Sequence, residues 1–256
     1  MSKGAIVTGA TSGIGRALAA ELARRGWALG LCARRAELLA EVQREIAAGT
    51  SGARVETEVL DVTDLDAVEH AIPRLAGRVG GVRLVVANAG IGGGRPVGGE
   101  GFELDAAIVR TNQLGAMATI DAAVRLFRAQ GGGQVVGVSS VAGYRGLPGH
   151  AAYSASKAGL NAYLEAVRAE VQDEGITVTT LAPGYIDTPL NRHMKSRPFL
   201  VSAEQGARAA VDLIERGVGE ATVPVFPWNA VAFAMRHMPD FVWYRAMRSQ
   251  APRERR

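Results

Sequence analysis

Thr8-Gly9-Ala10-Thr11-Ser12-Gly13-Ile14-Gly15 is the stretch on which the reading of the chain turns. It follows the apolar run Ala5-Ile6-Val7 and leads into Arg16-Ala17-Leu18-Ala19-Ala20-Glu21-Leu22, which has the pattern of a helix. Glycines at a strand-to-helix junction allow a tight turn, and they let backbone N–H groups and the positive end of the helix dipole approach a pyrophosphate. A dinucleotide site is therefore expected here. The spacing departs from the common G-x-G-x-x-G fingerprint, so the strand–turn–helix context carries the reading.

Outward from this turn, short β-type runs alternate with helical patterns. The runs are Ala5–Thr8, Ala28–Ala33, Val55–Val59, Leu84–Ala87, Gln134–Ser139, Thr177–Ala182 and Thr222–Val225. Between them lie amphipathic segments such as Ile14–Arg25, Arg35–Ala48, Asp64–Arg78, Ala151–Glu174 and Ala203–Arg216. Alternation of this kind marks repeated βαβ units. Runs such as Leu84-Val85-Val86-Ala87 are apolar throughout, as expected where helices cover both faces of a parallel sheet. The expected fold is α/β, a doubly wound, mostly parallel seven-stranded sheet with helices on both faces. No Pro- or Ser-rich linker divides the chain, so one domain over residues 1–256 is expected. The Gly-rich stretch from Gly90 to Gly101 lacks the Lys-Ser/Thr ending of a phosphate loop and is read as a flexible connection.

The bulk numbers fit a globular chain of 256 residues, 48% hydrophobic and 21% charged. Cys32 is the single cysteine and lies in an apolar run, which excludes an intramolecular disulfide and fits a reducing cytoplasm. No export leader precedes the first strand, and no apolar stretch approaches the roughly 20 residues of a spanning helix. The formal charge is +4 and the arginines are scattered, which argues against nucleic acid as a partner. The terminal Arg253-Glu254-Arg255-Arg256 reads as a solvated end before it reads as an electrostatic tail. His70, His150, His193 and His237 have no carboxylate or thiol at ligand spacing, so no metal site is expected.

The glycine turn fits T-G-x-x-x-G-x-G at all four fixed positions. With Asp61-Val62, Asn88-Ala89-Gly90, Asn112, Ser140, Tyr153, Lys157 and Pro183-Gly184, the chain resembles the short-chain dehydrogenase/reductase family in its single-domain form, from the first strand to about Leu190. The resemblance implies a Rossmann-type fold and a nicotinamide dinucleotide cofactor. It places Gly9, Thr11, Ser12, Gly13, Ile14 and Gly15 on the phosphates, Asp61 and Val62 on the adenine, and Asn88-Ala89-Gly90 beside the ribose. Pro183, Gly184, Ile186 and Thr188 belong to the nicotinamide-side loop, with Thr188 on the carboxamide.

Cofactor choice follows from charge at the end of the second strand. An NAD site wants a carboxylate there for the ribose 2′-hydroxyl, and an NADP site wants a cation for the 2′-phosphate. The chain offers Cys32-Ala33-Arg34-Arg35 and no acid before Glu37. Two guanidiniums suit a phosphate, and cations at a helix start are otherwise mildly disfavoured. NADP(H) is expected ahead of NAD, with Arg34 the main contact and Arg35 or Ser12 secondary.

Tyr153-Ser154-Ala155-Ser156-Lys157 opens a helical segment, and the four-residue separation puts phenol and ammonium on one face. A phenol titrates near pH 10, and an adjacent cation favours its anion, so Lys157 is expected to draw Tyr153 toward a working pH. Tyr153 then exchanges a proton with the substrate oxygen as hydride passes between substrate and nicotinamide, and both residues also count as cofactor contacts. Family spacing selects Ser140 over Ser139 as a donor to that oxygen, and Ser139 reads as a strand-end cap. By resemblance, Asn112 holds a water that relays protons to Lys157.

The expected partner is a small carbonyl or alcohol compound. Residues 188–202 correspond to the family's mobile substrate lid, whose cations read as solvated surface charge. Residues 226–256 form an aromatic, basic tail for which a subunit interface in a homodimer or homotetramer ranks ahead of core packing, and a peripheral membrane contact ranks last. The rival to an enzyme is a non-catalytic NADP(H)-binding sensor, which has no use for a tuned phenol.

Overall fold

The computed structural model describes residues 3–194 and 196–248. Lys195, in the segment expected as a lid, and the terminal Arg253-Glu254-Arg255-Arg256 lie outside them. Seven strands, β1 Gly4–Thr8, β2 Ala28–Ala33, β3 Val55–Val59, β4 Leu84–Ala87, β5 Gly133–Val138, β6 Ile176–Pro183 and β7 Glu220–Val223, form one sheet. The order is β3-β2-β1-β4-β5-β6-β7 and every pairing is parallel. This is the doubly wound, Rossmann-type arrangement. The order reverses between β1 and β4, and a ligand crevice belongs at the carboxyl ends of strands on either side of such a reversal.

Helices cover both faces, because strands buried on both sides need apolar cover above and below. One layer is α1 Gly13–Arg24, α2 Ala36–Gly49 and α7 Ala203–Glu215, which pack Leu18, Leu22, Leu39, Val42 and Val211 against the sheet. The other is α3 Leu65–Val79, α5 Gly115–Gln130 and α6 Ala151–Glu170, which contribute Ile72, Leu75, Ile120, Phe127, Leu160 and Leu164. Arg25 ties the first layer together, bonding Glu21 of α1 at 2.7 Å, Asp212 at 2.7 Å and Glu215 at 2.8 Å. Cys32 is fully buried in β2, and burial pushes its thiol up to about 12, which leaves it inert.

Three local features differ from the sequence pattern. The helix expected over Ala151–Glu174 ends at Glu170, because the chain turns through Val171–Glu174 toward Gly175, whose φ is +67°. Between β4 and β5 stand two helices, α4 Phe102–Val109 and α5, joined by a π-helical turn over Arg110–Leu114. After β7 come α8 Trp228–His237 and α9 Asp240–Met247. Among the described residues no helix is long and apolar enough to cross a membrane.

Candidate active site

The β1–α1 turn is built on contacts that no larger residue permits. Gly9 and Gly13 have φ of +69° and +55°. A Cβ on Gly9 would meet the Ala89 Cα at 2.7 Å, and one on Gly15 would meet the Gly9 carbonyl oxygen at 2.3 Å and Asn88 Nδ2 at 2.4 Å. Thr8 and Asn88 lock this approach. The Thr8 hydroxyl accepts from the backbone N–H of Asn88 at 3.1 Å and of Ala89 at 3.2 Å, while Asn88 Nδ2 donates to the Thr8 carbonyl at 2.9 Å. Helix α1 has no side-chain cap from Ser12 and no acidic residue in its first turn, so its positive end faces the crevice without an internal counter-charge.

A cavity of about 600 Å³ follows the crevice. Every site residue named from the sequence lines it, from Gly9, Thr11, Ser12, Gly13, Ile14 and Gly15 through Arg34, Arg35, Asp61, Val62, Asn88, Ala89, Gly90 and Asn112 to Ser140, Tyr153, Lys157, Pro183, Gly184, Ile186 and Thr188. At one end Arg34 has a side chain 63% exposed and lies 3.7 Å from Asp61, while Arg35 donates to the Thr11 hydroxyl at 3.2 Å. Ala33 stands beside them, and Glu37 lies in the first turn of α2. Partial desolvation works to raise the Asp61 carboxyl. Two hydrogen bonds from Thr63 and the charge of Arg34 outweigh it and hold Asp61 below the usual carboxylate range.

At the other end, Lys157 is buried and donates from Nζ to the Val138 carbonyl at 2.8 Å. Desolvation pushes its pKa down to about 8. Tyr153 lies one turn earlier and is hydrogen-bonded to Ser140. The expectation that Lys157 draws the phenol down is not met in this geometry. The ammonium stands 6.0 Å from the Tyr153 ring centroid, engaged with Val138, and burial raises the phenol more than the Ser140 bond lowers it. The capping roles also exchange. Ser140, not Ser139, caps the short 3-10 turn Val141–Gly143 by accepting from the Ala142 N–H at 3.1 Å. Ser139 is buried and donates to the Lys157 carbonyl at 3.3 Å, fastening α6 to β5.

Asn112 is fully buried in the π turn, and its side chain clamps the backbone of Ile91, accepting from N–H at 2.8 Å and donating to C=O at 2.9 Å. Side-chain amide and carbonyl are thus engaged with protein. Of the stretch from Gly90 to Gly101 read as a flexible connection, the first four residues form part of the cavity wall, whereas Val97, Gly98 and Gly101 lie in exposed loop. Gly90, Ile91, Gly92 and Gly93 line the cavity, and His150 Nδ1 lies 3.0 Å from the Gly93 carbonyl. Beyond them Arg95 pairs with Asp105 at 2.7 Å, both side chains largely buried.

The chain's likeness to known proteins agrees with this geometry. The family model for short chain dehydrogenases matches residues 3–198. The chain belongs to the short-chain dehydrogenase family. It is 37% identical over 235 residues to an uncharacterized oxidoreductase of Mycobacterium tuberculosis, covering 91% of this chain and 93% of the relative. It is 31% identical to dehydrogenase/reductase SDR family member 7B of Bos taurus, over 98% of this chain and 82% of that one. Among solved structures, an alcohol dehydrogenase from the archaeon Thermococcus sibiricus complexed with 5-hydroxy-NADP matches with TM-score 0.79 and 28% identity, covering 88% of this chain and 97% of that chain. Actinorhodin polyketide ketoreductase with NADPH matches with TM-score 0.80 and 27% identity, over 92% and 98%.

The family match ends at residue 198, and the region beyond it buttresses Gly184 of the cavity wall through a contact that sequence spacing does not reveal. Trp228 of α8 is buried against the backbone of Gly184, where a Cβ would meet its Cε2 at 2.0 Å. Tyr185 and Phe199 pack edge-on to the same indole, with centroids 5.7 and 5.9 Å away. Phe199 is the one described non-glycine residue with a left-handed φ, +55°, and the indole helps hold it there. In this short-chain dehydrogenase the segment 188–202, expected as a lid, is further tied by Asn191, which donates to the Ile186 carbonyl at 2.8 Å, and by Arg197, which pairs with Asp187 at 2.7 Å. Arg192, its side chain 64% exposed, lies 3.5 Å from the same carboxylate, so the two described arginines of this segment share Asp187 while Arg192 remains solvated surface charge as expected. His193 lines the cavity, although as a lone histidine it carries no signal in the sequence.

Two predictions follow from these contacts. Lys157→Met is expected to be more stable than the wild type at pH 7, because a buried ammonium is disfavoured in the fold. The advantage should shrink as pH rises from about 8 toward the ordinary lysine value of 10.5, the interval in which the unfolded chain binds the proton that the native chain has lost. Urea denaturation across that range measures it. Gly184→Ala is expected to destabilise by about 1–3 kcal/mol through overpacking against the indole. Trp228→Phe should recover part of that loss, so a double-mutant cycle should return a non-zero coupling.

Proposed function

We propose that this oxidoreductase interconverts a small carbonyl compound and its alcohol using NADP(H), with Tyr153 as the proton donor and acceptor. The observation that carries the reading is the shared cavity. The uncapped N-terminus of α1 and its glycine cradle stand at one part of the wall, and Ser140, Tyr153 and Lys157 at another. The residues fit a dinucleotide, since the glycines leave room that a Cβ would fill and the helix end is free to meet an anion. When bound, the nicotinamide supplies or accepts hydride.

The remaining chemistry belongs to the chain. Tyr153, with its phenol raised by burial, is protonated near neutral pH and has a proton to give to a developing alkoxide. Ser140 already bonds the phenol and is positioned to hydrogen-bond the same substrate oxygen. Lys157, near its own midpoint, can pass a proton toward the phenol once Tyr153 has given up its own. Asn112 keeps Ile91 and the cavity wall in place. Any water it holds for the proton relay would use its backbone, because its side chain is engaged. Thr188, which lines the cavity and whose side chain a Cβ on Gly13 would meet at 3.3 Å, is the proposed carboxamide contact.

Preference for the 2′-phosphate is assigned to Arg34, with Arg35 and Ser12 in support, since Ala33 removes the carboxylate that a ribose hydroxyl would want. The neighbours crystallised with NADPH and 5-hydroxy-NADP favour this choice. Loss of reduced-nicotinamide absorbance with a panel of ketones and aldehydes tests the activity. Arg34→Ala is expected to lower the NADPH-over-NADH ratio of kcat/KM at least about tenfold, equivalent to about 1.4 kcal/mol. An unchanged ratio would remove Arg34 from the assignment.

A further inference from the structure

The whole of the chain's +4 charge resides in residues 226–256, where Arg236, Arg245, Arg248, Arg253, Arg255 and Arg256 stand against Asp240 and Glu254. The same segment holds six of the 14 aromatic side chains, Phe226, Trp228, Phe233, Phe241, Trp243 and Tyr244. The fold divides these rings in two. Trp228 and Trp243 turn inward and are buried, which fastens α8 and α9 to the body. Phe226, Phe233, Phe241 and Tyr244 remain 79, 66, 75 and 66% exposed. Arg145 completes the fastening, donating to the Met235 carbonyl at 3.2 Å and to the Met238 carbonyl at 2.5 Å, pairing with Asp240 and lying over the Trp243 ring.

We propose that α8 and α9 form a docking surface for an anionic lipid bilayer. Spacing of three and four residues puts Ala230, Phe233, Ala234 and His237 on one outward stripe of α8, and Phe241, Arg245 and Arg248 on one of α9. Among the described residues neither Arg245 nor Arg248 meets a carboxylate, whereas Arg236 is paired with Glu220. Exposed aromatic rings beside unpaired arginines suit the headgroup region, where the rings enter the acyl boundary and the guanidiniums meet lipid phosphates. A second copy of the chain suits this face less well than the sequence pattern suggested. A twofold interface sets like patches against each other and would oppose the same uncompensated cations. Helix α8 also reaches the lid through the contact between Trp228 and Phe199, so docking brings the lid side of the molecule toward the lipid.

The test is sedimentation of the full chain with vesicles of phosphatidylcholine alone or with one-third phosphatidylglycerol. The wild type is expected to follow the anionic vesicles only and to release as salt rises. Phe233→Ser with Phe241→Ser, both exposed and so compatible with the fold, is expected to weaken binding about tenfold or more. Far-ultraviolet circular dichroism checks that the variant is folded. Absence of binding, or equal binding to both vesicle types, would overturn the proposal. So would a variant that binds vesicles like the wild type while an oligomer dissociates in sedimentation velocity, since the face would then be a self-association surface.

Discussion

The close approach of the Gly9–Gly15 turn to Asn88 and Ala89 is the constraint from which the rest of the site follows. It occurs where the sheet order reverses, so the carboxyl ends of β1 and β4 are forced together and a crevice opens beside them. Thr8 and Asn88 hold the two ends by backbone-directed hydrogen bonds, and their side chains are spent on architecture. What is left facing the crevice is backbone N–H and a helix end. A side chain at Gly9 or Gly15 would separate the strands and close the cradle in one step.

Electrostatics at the far end of the crevice run against the fold. An ammonium placed beneath β5 with one carbonyl partner is a strained protonation state, and a phenol placed beside it is harder to ionise than in water. Those two shifts oppose each other in charge and converge in use. A lysine close to its midpoint and a tyrosine that keeps its proton form a donor pair near neutral pH, with Ser140 bridging to the position where negative charge would develop. The clamps made by Ser139 and Asn112 explain how such a pair stays in place.

Much of the fold is legible in the sequence, because parallel strands buried on both faces appear as unbroken apolar runs, and all seven fall within two residues of their expected bounds. The members of the site are legible too, since the motif glycines, Asn88, Tyr153 and Lys157 lie at strand ends and helix starts. What pattern cannot show is how each side chain spends its hydrogen bonds. Nothing local distinguishes Asn112 as a clamp on Ile91, or assigns the cap to Ser140 and the tether to Ser139. Gly93 and Gly94 of the Gly-rich stretch carry no sign in the sequence that Leu104, Ile108 and His150 are brought against them from distant positions. The indole of Trp228 reaches Gly184 across 44 residues, a contact without any periodic trace.

The central claim is that one cavity binds the reduced cofactor and that Tyr153 delivers the proton. Single-turnover mixing of NADPH-loaded protein with a reducible ketone tests it most directly, with wild type and Tyr153→Phe compared after cofactor binding is measured by nicotinamide fluorescence. The account predicts dissociation constants for NADPH that agree within about threefold, and hydride transfer slowed at least about 100-fold in the variant, the scale of a lost general acid. Transfer at the wild-type rate in Tyr153→Phe, or a wild-type chain that binds no NADPH, would contradict it.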